Sequence, residues 1–453
     1  MSAEDTQTIA SEWLQTYGDS LQTANIESVL ASFLPSGWLR DVLTFTWNNR
    51  ALEGREKIAS YLRDTLSAAK VSDVKLDSRK HLSPQQSSLD PEWISGGFTF
   101  TTVIAIGQGY FHLAKDEYGA WKAQIVFMTM KDLKGHEEMG PEAGIYEGHT
   151  LAWSDVHQSR KLKIEQDPYV IIVGAGQTGL NVAARFHQMS IPSIVLETNA
   201  RVGDNWRKRY PTLSLHTPRT HHSLLYQPYP QNWPIFTPRD KLADWLEQYA
   251  KSQDLVVWTN SRPLPIPTYD FNTKRWTVVV DKDGTHVTLH PAHIVLATGT
   301  LGKPRYPDMI DKETFRNTIL HACEYAGGRP FSGKRVVVVG AGNTAADICQ
   351  DLVVQGAQSV TMVQRSSTCV IAASSVASVT NAWPEGVPQD VADLKFMSCP
   401  LLLLKRMLGS REKEAWAREQ GMHEGLTKAG LKLNMGSDGA GLALLLFERF
   451  GGK

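Results

Sequence analysis

Apolar residues recur with two different periods in the first part of this chain, and the change of period separates its predicted elements. Large apolar side chains occupy every fourth position near the amino terminus, namely Ile9, Trp13, Tyr17 and Leu21. This spacing predicts one buried face of an α-helix, and helical patterns follow over residues 26–33 and 56–66. The period becomes two over residues 98–101 and 125–130, which predicts antiparallel strands. Helices followed by a sheet predict a small α+β cone domain over residues 1–131.

A connector is expected over residues 132–167, because no apolar period is sustained there. This stretch is rich in charged residues and contains four glycines and a proline, which are Gly135, Gly140, Pro141, Gly144 and Gly148. Such a composition is typical of a linker or of an arm that lies over a neighbouring domain.

Two short apolar runs, residues 169–173 and 335–339, each end in a glycine-rich turn that is followed by a helical pattern. The first turn reads Gly174-Ala-Gly176-Gln-Thr-Gly179, and the second reads Gly340-Ala-Gly342-Asn343-Thr344-Ala345. In the dinucleotide-binding fingerprint the first glycine permits the turn, the second admits the pyrophosphate, and the third allows close helix packing. Amides at the helix start then face the phosphates. The sequence therefore predicts an α/β architecture with two Rossmann-like domains, over residues 168–330 and 331–453.

The residue that ends the next strand indicates which dinucleotide each turn binds. The strand over residues 194–197 ends in Glu197, whose carboxylate suits ribose hydroxyls and disfavours a 2′-phosphate, so FAD or NAD is expected there. The strand over residues 359–363 is followed by Gln364 and Arg365 without an acid, and an arginine at this place can pair with the 2′-phosphate of NADP. We therefore expect NADPH at the second turn, held by Gly340, Gly342, Asn343, Ala345 and Arg365.

Composition narrows the class of protein. Lys plus Arg equals Asp plus Glu, at 47 each, so no excess of charge indicates nucleic acid or an acidic membrane surface as a partner. The late apolar runs fall far short of the ~20 residues of a membrane span, and the acidic amino terminus does not resemble a signal peptide. The four cysteines are widely spaced without a C-x-x-C motif, and no spacing typical of metal ligands occurs. These features favour a reduced, cytoplasmic compartment and no metal centre.

Three further motifs resemble those of the flavin-containing monooxygenase family. Residues 203–206 match an element of its FAD domain, and residues 294–299 match its apolar strand that ends in Ala-Thr-Gly. The family signature F-x-G-x-x-x-H-x-x-x-(Y/F) occupies residues 315–325, with His321 in place and Asn317 replacing the glycine. We expect His321 at a domain junction, and Asn317 to tolerate a positive φ. The resemblance implies that FAD lies against Gly174, Gly176, Gly179, Glu197, Gly203, Asp204, Trp206, Thr298 and Gly299.

The same resemblance implies the chemistry. NADPH reduces the flavin, O2 then gives a 4a-hydroperoxyflavin, and one oxygen atom passes to a small organic substrate. The segment 210–219 contains Leu-His-Thr-Pro, which is closer to the plant YUCCA-like and related fungal members that act on 2-oxo acids. Tyr210 and His216 are the candidate catalytic residues, and His216 either hydrogen-bonds substrate or flavin or satisfies a core carbonyl. The substrate stays open among amines, sulfides, ketones and 2-oxo acids.

The amino-terminal domain resembles the nuclear transport factor 2-like (NTF2-like) fold over residues 37–47. Two interpretations of Trp38, Arg40, Asp41 and Trp47 stay open: these side chains line a pocket, or they serve packing and a local ion pair. Packing is favoured because aromatic residues are so often part of a core. Fungal monooxygenases of this kind, which belong to secondary metabolism, carry such a domain ahead of the enzyme, and a homodimer formed through it stays open.

The carboxyl end gives rise to two alternatives. Family members continue well past the second fingerprint, so a chain that ends at Lys453 is expected to be shortened, with strand edges left uncovered. One alternative is a non-catalytic protein of flavoprotein fold that is kept for binding or association. The other is an uncoupled NADPH oxidase that releases peroxide without oxygenating an organic substrate.

Overall fold

A computed structural model describes residues 3–377 and 382–441 of the chain. Within these ranges the chain divides into two compact units. The first unit contains residues 3–137, 382–415 and 437–441, and the second contains residues 138–377 and 416–436.

The first unit begins with three helices and a curved mixed sheet. Its elements in chain order are α1 (Ala3–Gln22), α2 (Ile26–Ala31), β1 (Phe33–Val42), β2 (Asn49–Glu53), α3 (Arg55–Ala69), β3 (Ser72–Leu76), β4 (Gln85–Gln86), β5 (Ile94–Thr101), β6 (Ala105–Lys115) and β7 (Trp121–Leu133). The strand order is β2-β1-β7-β6-β5-β3, with β4 paired to β5. Strand β1 runs parallel to β7, and the other pairs are antiparallel. The predicted helices and strands of this segment are therefore present, although α2 ends before the expected residue 33 because Phe33 starts β1.

The three helices cover one face of this sheet with an aromatic core. Trp13 stacks on Tyr17 with ring centroids 5.0 Å apart, and its ring also lies 5.1 Å from that of Phe111 on β6. The four-residue spacing that predicted α1 thus describes the buried face of the helix. Leu62 on α3 is fully buried in the same core.

The second unit is built around two parallel sheets with helical crossovers. Its helices are α4 (Trp153–Gln166), α5 (Gln177–Gln188), α6 (Asp204–Arg207), α7 (Arg239–Ser252), α8 (Asn343–Val354) and α9 (Ala373–Ala377). Its strands are β8 (Val170–Val173), β9 (Ser193–Leu196), β10 (Ser214–Pro218), β11 (Phe236–Pro238), β12 (Val257–Trp258), β13 (Ser261–Pro263), β14 (Thr268–Asp270), β15 (Arg275–Lys282), β16 (Thr285–Leu289), β17 (His293–Leu296), β18 (Arg335–Val339) and β19 (Ser359–Val363). One parallel sheet has the order β12-β9-β8-β17, and β18 pairs in parallel with β19. The predicted α/β architecture with two strand–turn–helix units is confirmed.

The connector predicted over residues 132–167 contains a helix that the sequence pattern does not show. Helix α4 buries only Val156, so its other positions carry no apolar period that could reveal it. It is attached to the first parallel sheet by the indole of Trp258, which donates a hydrogen bond of 2.7 Å to Glu165 near the end of α4.

Strands β18 and β19 leave one face uncovered within the described residues. Val337 and Val339 are 62% and 69% exposed, although both are strongly apolar and belong to a parallel pair. Parallel sheets are normally covered on both faces. As far as the structure describes it, the second strand–turn–helix unit therefore consists of two strands with α8 on one side.

The later helices are α10 (Gln389–Ser398), α11 (Leu401–Gly409), α12 (Glu412–Arg418) and α13 (Gln420–Lys428). Residues 382–415 belong to the first unit, although the sequence analysis placed them in the second Rossmann-like domain. Val391 and Leu394 of α10 pack on Tyr110 and Phe127, on the face of the amino-terminal sheet that α1–α3 leave free. That face carries large apolar side chains, and covering them with a later segment removes them from water. No helix within residues 3–377 and 382–441 combines the length and apolarity needed to cross a bilayer.

Trp38, Arg40, Asp41 and Trp47 do not share one pocket. Trp38 is buried, whereas Trp47 is 69% exposed. Arg40 and Asp41 are neighbours on β1 and so point to opposite faces of the sheet. Arg40 donates to the carbonyl oxygen of Cys399 at 3.1 Å, and Asp41 accepts the Tyr61 hydroxyl at 2.7 Å. The expected packing role holds for Trp38, but a local ion pair between Arg40 and Asp41 was the wrong interpretation.

His112 on β6 generates a prediction about acid stability. It is buried between the hydroxyls of Ser87 and Ser398, and burial lowers its pKa to about 3 from 6.5. Because the unfolded chain takes up a proton at this histidine and the folded chain does not, stability decreases as the pH falls from about 6.5 towards 3. The histidine's share is at most about 1.4 kcal/mol for each pH unit. His112→Gln should flatten this slope, measured as the opening free energy of β6 from amide hydrogen exchange.

The matched control for this prediction is His136→Gln, which removes an exposed histidine of the same unit. This variant should keep the slope of the unaltered protein. An equal acid dependence in the His112→Gln variant would show that His112 is protonated in the folded state.

Candidate functional site

The first glycine turn joins β8 to α5, and the backbone contacts there leave no room for side chains at two of its three glycines. Gly174 has a φ of +108°, and a Cβ at this position would lie 2.5 Å from the carbonyl oxygen of Ala297. A Cβ at Gly179 would lie 1.9 Å from the carbonyl oxygen of Gly174. Both glycines are therefore required by the protein's own packing.

Gly176 differs from its two neighbours. Its φ of −81° and ψ of −174° are extended values that any residue adopts, and a Cβ there would have no atom of residues 3–377 or 382–441 within 4 Å. No internal contact therefore accounts for a glycine at this position. The space that it leaves open borders the start of α5, whose amino-terminal cap has no side-chain hydrogen bond. Uncapped amides beside an open space form a site suited to a phosphate.

Glu197 follows β9 at the edge of this turn. Its two carboxylate oxygens accept the amide of Ala175 at 3.0 Å and the amide of Asn199 at 2.8 Å. The carboxylate, 8% exposed, is thereby fixed between the glycine turn and the strand end. Each carboxylate oxygen can accept more than one hydrogen bond, so ribose hydroxyls can still be bound there.

Three further residues that are predicted to contact the first cofactor also lie beside this turn. Thr298 and Gly299 follow β17 and are exposed, and the Cα of Thr298 is 3.6 Å from a Cβ built on Gly174. The indole nitrogen of Trp206 lies 3.4 Å from the side-chain oxygen of Gln177, the first residue of α5. The structure therefore brings these separate segments to one end of the parallel sheet.

Gly203 and Asp204 have structural partners of their own. Gly203 has a φ of +89°, and a Cβ there would lie 2.4 Å from the carbonyl oxygen of Ala243 on α7. Asp204 forms an ion pair of 3.1 Å with Arg207, which also pairs with Asp244 and Glu247. These contacts hold the short helix α6 on α7, so both residues have a role that needs no bound cofactor.

The second glycine turn, between β18 and α8, is wider than the first. Gly340 has a φ of +126°, and a Cβ built there would be 4.0 Å from the Cβ of Ala345. The third position therefore accepts a methyl group, and Ala345 is buried. Helix α8 begins at Asn343, and its cap residue Gly342 is extended and lacks a side-chain hydrogen bond. This helix start, like that of α5, is suited to a phosphate.

Arg365 lies just beyond β19 with an exposed side chain that forms no ion pair with any residue of the ranges 3–377 and 382–441. The preceding Gln364 is held by Lys432, whose backbone exchanges two hydrogen bonds of 2.9 and 2.8 Å with its side-chain amide. The strand end is thus fixed while the guanidinium next to it stays available for an anion.

The two candidate catalytic residues have different surroundings. Tyr210 is 3% exposed, and its hydroxyl donates a hydrogen bond of 2.6 Å to Asp347 on α8. The side chain of Thr344, in the second glycine turn, lies close to the same hydroxyl. His216 on β10 is exposed. Of the two, His216 is the residue that a small molecule can reach.

The sequence analysis assigned no role to Asp347, which lies on α8. Burial raises its pKa, and this effect is opposed by the hydrogen bond from Tyr210 and by the charges of His216 and Arg209. The sequence signal that could have found it is a second carboxylate, Asp351, one turn later on a mostly apolar helix.

The residues of the signature 315–325 have structural roles. The ring of His321 accepts the amide of Cys323 at 3.2 Å, and the amide of His321 donates to Glu324 at 2.7 Å, which caps a short turn. Asn317 is not among the residues with positive φ, so the expectation of a left-handed turn there was wrong. Tyr325 donates to Asp351 at 2.7 Å. Among the described residues, no group of three or more His, Cys, Asp or Glu side chains could hold a metal ion.

Part of this chain is similar in sequence to known proteins. Residues 171–384 match the family described as Pyridine nucleotide-disulphide oxidoreductase. A probable indole-3-pyruvate monooxygenase, YUCCA9 of Arabidopsis thaliana, is 34% identical over 203 residues, which are 44% of this chain and 48% of the relative. The indole-3-pyruvate monooxygenase YUCCA1 of Oryza sativa subsp. japonica is 33% identical over 205 residues, 45% of this chain and 49% of the relative. The chain thus spans about half the length of these relatives.

A flavin-containing monooxygenase from Stenotrophomonas maltophilia has 23% sequence identity and a TM-score of 0.41, and the match covers 50% of this chain and 67% of that one.

The open space at Gly176 generates a prediction. Gly176→Val should leave the apoprotein's thermal unfolding midpoint unchanged, because its Cβ meets no atom in the part of the chain that the structure describes and its backbone angles suit any residue. The same variant should weaken binding of FAD, the expected dinucleotide, by about a hundredfold or more, because the side chain occupies the pyrophosphate's place. Calorimetric titration of apoprotein with FAD measures the effect.

Gly140→Val is the matched control, since Gly140 also has open surroundings and lies in the connector. This variant should bind FAD as the unaltered protein does. Full FAD affinity in the Gly176→Val variant would mean that the dinucleotide does not occupy this space.

Proposed function

We propose that this chain, whose nucleotide-binding region belongs to the flavin-containing monooxygenase family, is an FAD- and NADPH-dependent monooxygenase that oxygenates a small organic substrate. The observation that carries this proposal is the open space at Gly176, beside an uncapped helix start and the fixed carboxylate of Glu197. A second uncapped helix start follows in the same unit. Two such turns suit one resident dinucleotide and one reductant.

FAD fits the first turn. The amides that begin at Gln177 would hold its pyrophosphate, and Glu197 would accept its ribose hydroxyls. Trp206, Thr298 and Gly299 would border the rest of the cofactor, since all three lie next to the turn. The contribution of Gly203 and Asp204 would be indirect, through the ion-pair network that holds α6 on α7.

NADPH fits the second turn. The start of α8 at Gly342 and Asn343 would hold the pyrophosphate, and the buried Ala345 would pack the helix against β18. Arg365 would pair with the 2′-phosphate, because it is an exposed cation at the end of the following strand. The two turns would thus differ in the charge beside them. The carboxylate of Glu197 lies at the first turn, and the guanidinium of Arg365 lies at the second.

A flavin bound there would supply the reaction with O2 and the transfer of one oxygen atom, with NADPH as the reductant. The protein's part is to bind, to orient and to exclude water. His216 is the side chain proposed to touch substrate or flavin, because it is exposed near the start of α8. It can donate or accept a hydrogen bond at its ring nitrogens. Tyr210, the other candidate, is proposed to act on the protein rather than on substrate.

The substrate class follows from the relatives. The first relatives are named for indole-3-pyruvate, a 2-oxo acid, and we infer that 2-oxo acids are the first class to test. The experiment is product analysis by mass spectrometry on FAD-loaded protein given NADPH, O2 and a panel of 2-oxo acids, amines, sulfides and ketones. Incorporation of one atom from labelled O2 into a product supports the proposal. Stoichiometric peroxide without a product would indicate an uncoupled oxidase.

A non-catalytic role is the second candidate, and one observation favours it. The uncovered face of β18, with Val337 and Val339 exposed, is suited to association rather than to a closed cofactor domain. A colourless protein that self-associates and binds neither FAD nor NADPH would support this role over that of an enzyme.

Arg365 generates the prediction for this section. Arg365→Ala should raise the Michaelis constant for NADPH by about tenfold or more and leave that for NADH nearly unchanged, because only NADPH carries a 2′-phosphate. Steady-state oxidation of the two nucleotides measures the ratio.

The matched control is Arg335→Ala, which removes an exposed arginine at the opposite end of the same parallel pair. It should leave the preference for NADPH intact. Equal losses for NADPH and NADH in the Arg365→Ala variant would contradict the role assigned to this arginine.

A further inference from the structure

Helix α8 is held by two tyrosine hydroxyls along one face. Tyr210 donates to Asp347 at 2.6 Å, and Tyr325 donates to Asp351 at 2.7 Å. The two carboxylates are four residues apart, so they lie one above the other on the helix. Hydrogen bonds that reach a carboxylate are shorter and stronger than those between neutral groups. The rings of the two tyrosines lie 6.4 Å apart in a shared apolar cluster.

The two bonds differ in their distance from the second glycine turn. Asp347 is in the first turns of α8, and the Tyr210 hydroxyl that it accepts lies beside the side chain of Thr344, in the glycine turn itself. Asp351 lies one turn further on and is also bound by the amide of Gly328 at 2.8 Å. The first bond therefore acts on the residues that face a bound pyrophosphate, and the second acts on the body of the helix.

Tyr210 belongs to a segment of the first nucleotide-binding half. It lies between α6, which carries Trp206, and β10, which carries His216. Its hydroxyl therefore ties the start of α8 to the chain that borders the first turn. Burial raises the pKa of Tyr210, and the bond to Asp347 raises it further, so the hydroxyl keeps its proton and stays a donor.

We infer that Tyr210 and Asp347 are positioning residues that fix the start of α8 for the pyrophosphate of NADP. This inference rests on the proposed function. In this inference Tyr210 does not contact substrate. It acts on the second nucleotide site through Asp347 and Thr344. The residue pair is therefore expected to influence NADP affinity and not FAD retention.

Tyr210→Phe tests the inference on FAD-loaded protein, because it removes the hydroxyl and keeps the ring in its cluster. The dissociation constant for NADP⁺, measured by calorimetry, should rise about tenfold. Binding of 2′-AMP, which carries the 2′-phosphate but no pyrophosphate, should not change. Hydrogen exchange at the amide of Ala346, which donates to the carbonyl oxygen of Gly342 at 3.0 Å, should accelerate, and FAD content should stay the same.

Tyr325→Phe is the matched control, since it removes an equivalent bond to Asp351 on the same helix. It should raise the dissociation constant for NADP⁺ by less than threefold, even if it lowers thermal stability as much as Tyr210→Phe does. A loss of NADP⁺ affinity that follows thermal stability equally in both variants would overturn the inference and indicate a purely structural role.

Two other results distinguish a failure of this inference from a failure of the proposed function on which it rests. If the unaltered protein retains FAD and binds NADP⁺, but Tyr210→Phe binds NADP⁺ equally well, the inference alone is wrong. If the unaltered protein binds neither nucleotide, the proposed function fails and the inference fails with it.

Discussion

The close approach of three backbone segments at the first glycine turn is the contact on which the candidate site depends. Gly174 meets the carbonyl of Ala297, and Gly179 meets the carbonyl of Gly174, with no space for a Cβ at either glycine. These contacts place the end of β17, a strand of the parallel sheet, beside the start of α5. Because the contacts are between backbones, no rearrangement of side chains can replace them. The open space at Gly176 exists only because the turn around it is fixed.

The second turn reaches a similar helix start by different means. Its third position holds Ala345, so α8 stands further from the turn than α5 does from its own, and backbone contact holds it less tightly. Side chains supply the missing restraint, since Tyr210 and Tyr325 donate to two carboxylates on α8. The first turn is thus fixed by close backbone contacts that only glycine permits, and the second by specific hydrogen bonds from side chains. This difference explains why the first could be recognised from glycines alone, whereas the restraint on the second could not.

Local patterns in the sequence were sufficient for the elements and for both turns, because strand, glycine turn and helix are adjacent in the chain. Contacts between distant segments could not be predicted. Nothing local to Tyr210 indicates that its hydroxyl binds Asp347, 137 positions away. Helix α4 was missed because it buries a single apolar residue. The packing of α10 on the amino-terminal sheet was missed because an apolar helix face does not specify its partner. NTF2-like identity and the contacts of each cofactor remain predictions.

The roles of the polar groups around the two turns argue that a bound cofactor performs the chemistry. Around the two turns, Asp204 is paired with Arg207, Tyr210 is bound to Asp347, and Glu197 holds backbone amides. Each of these groups stabilises the scaffold and is not poised as a nucleophile or a proton donor to substrate. The exposed His216 and Arg365 suit hydrogen bonding and anion pairing, and neither provides covalent or redox chemistry by itself. A scaffold of this kind binds and orients reactants, so the difficult bond changes would be left to the flavin.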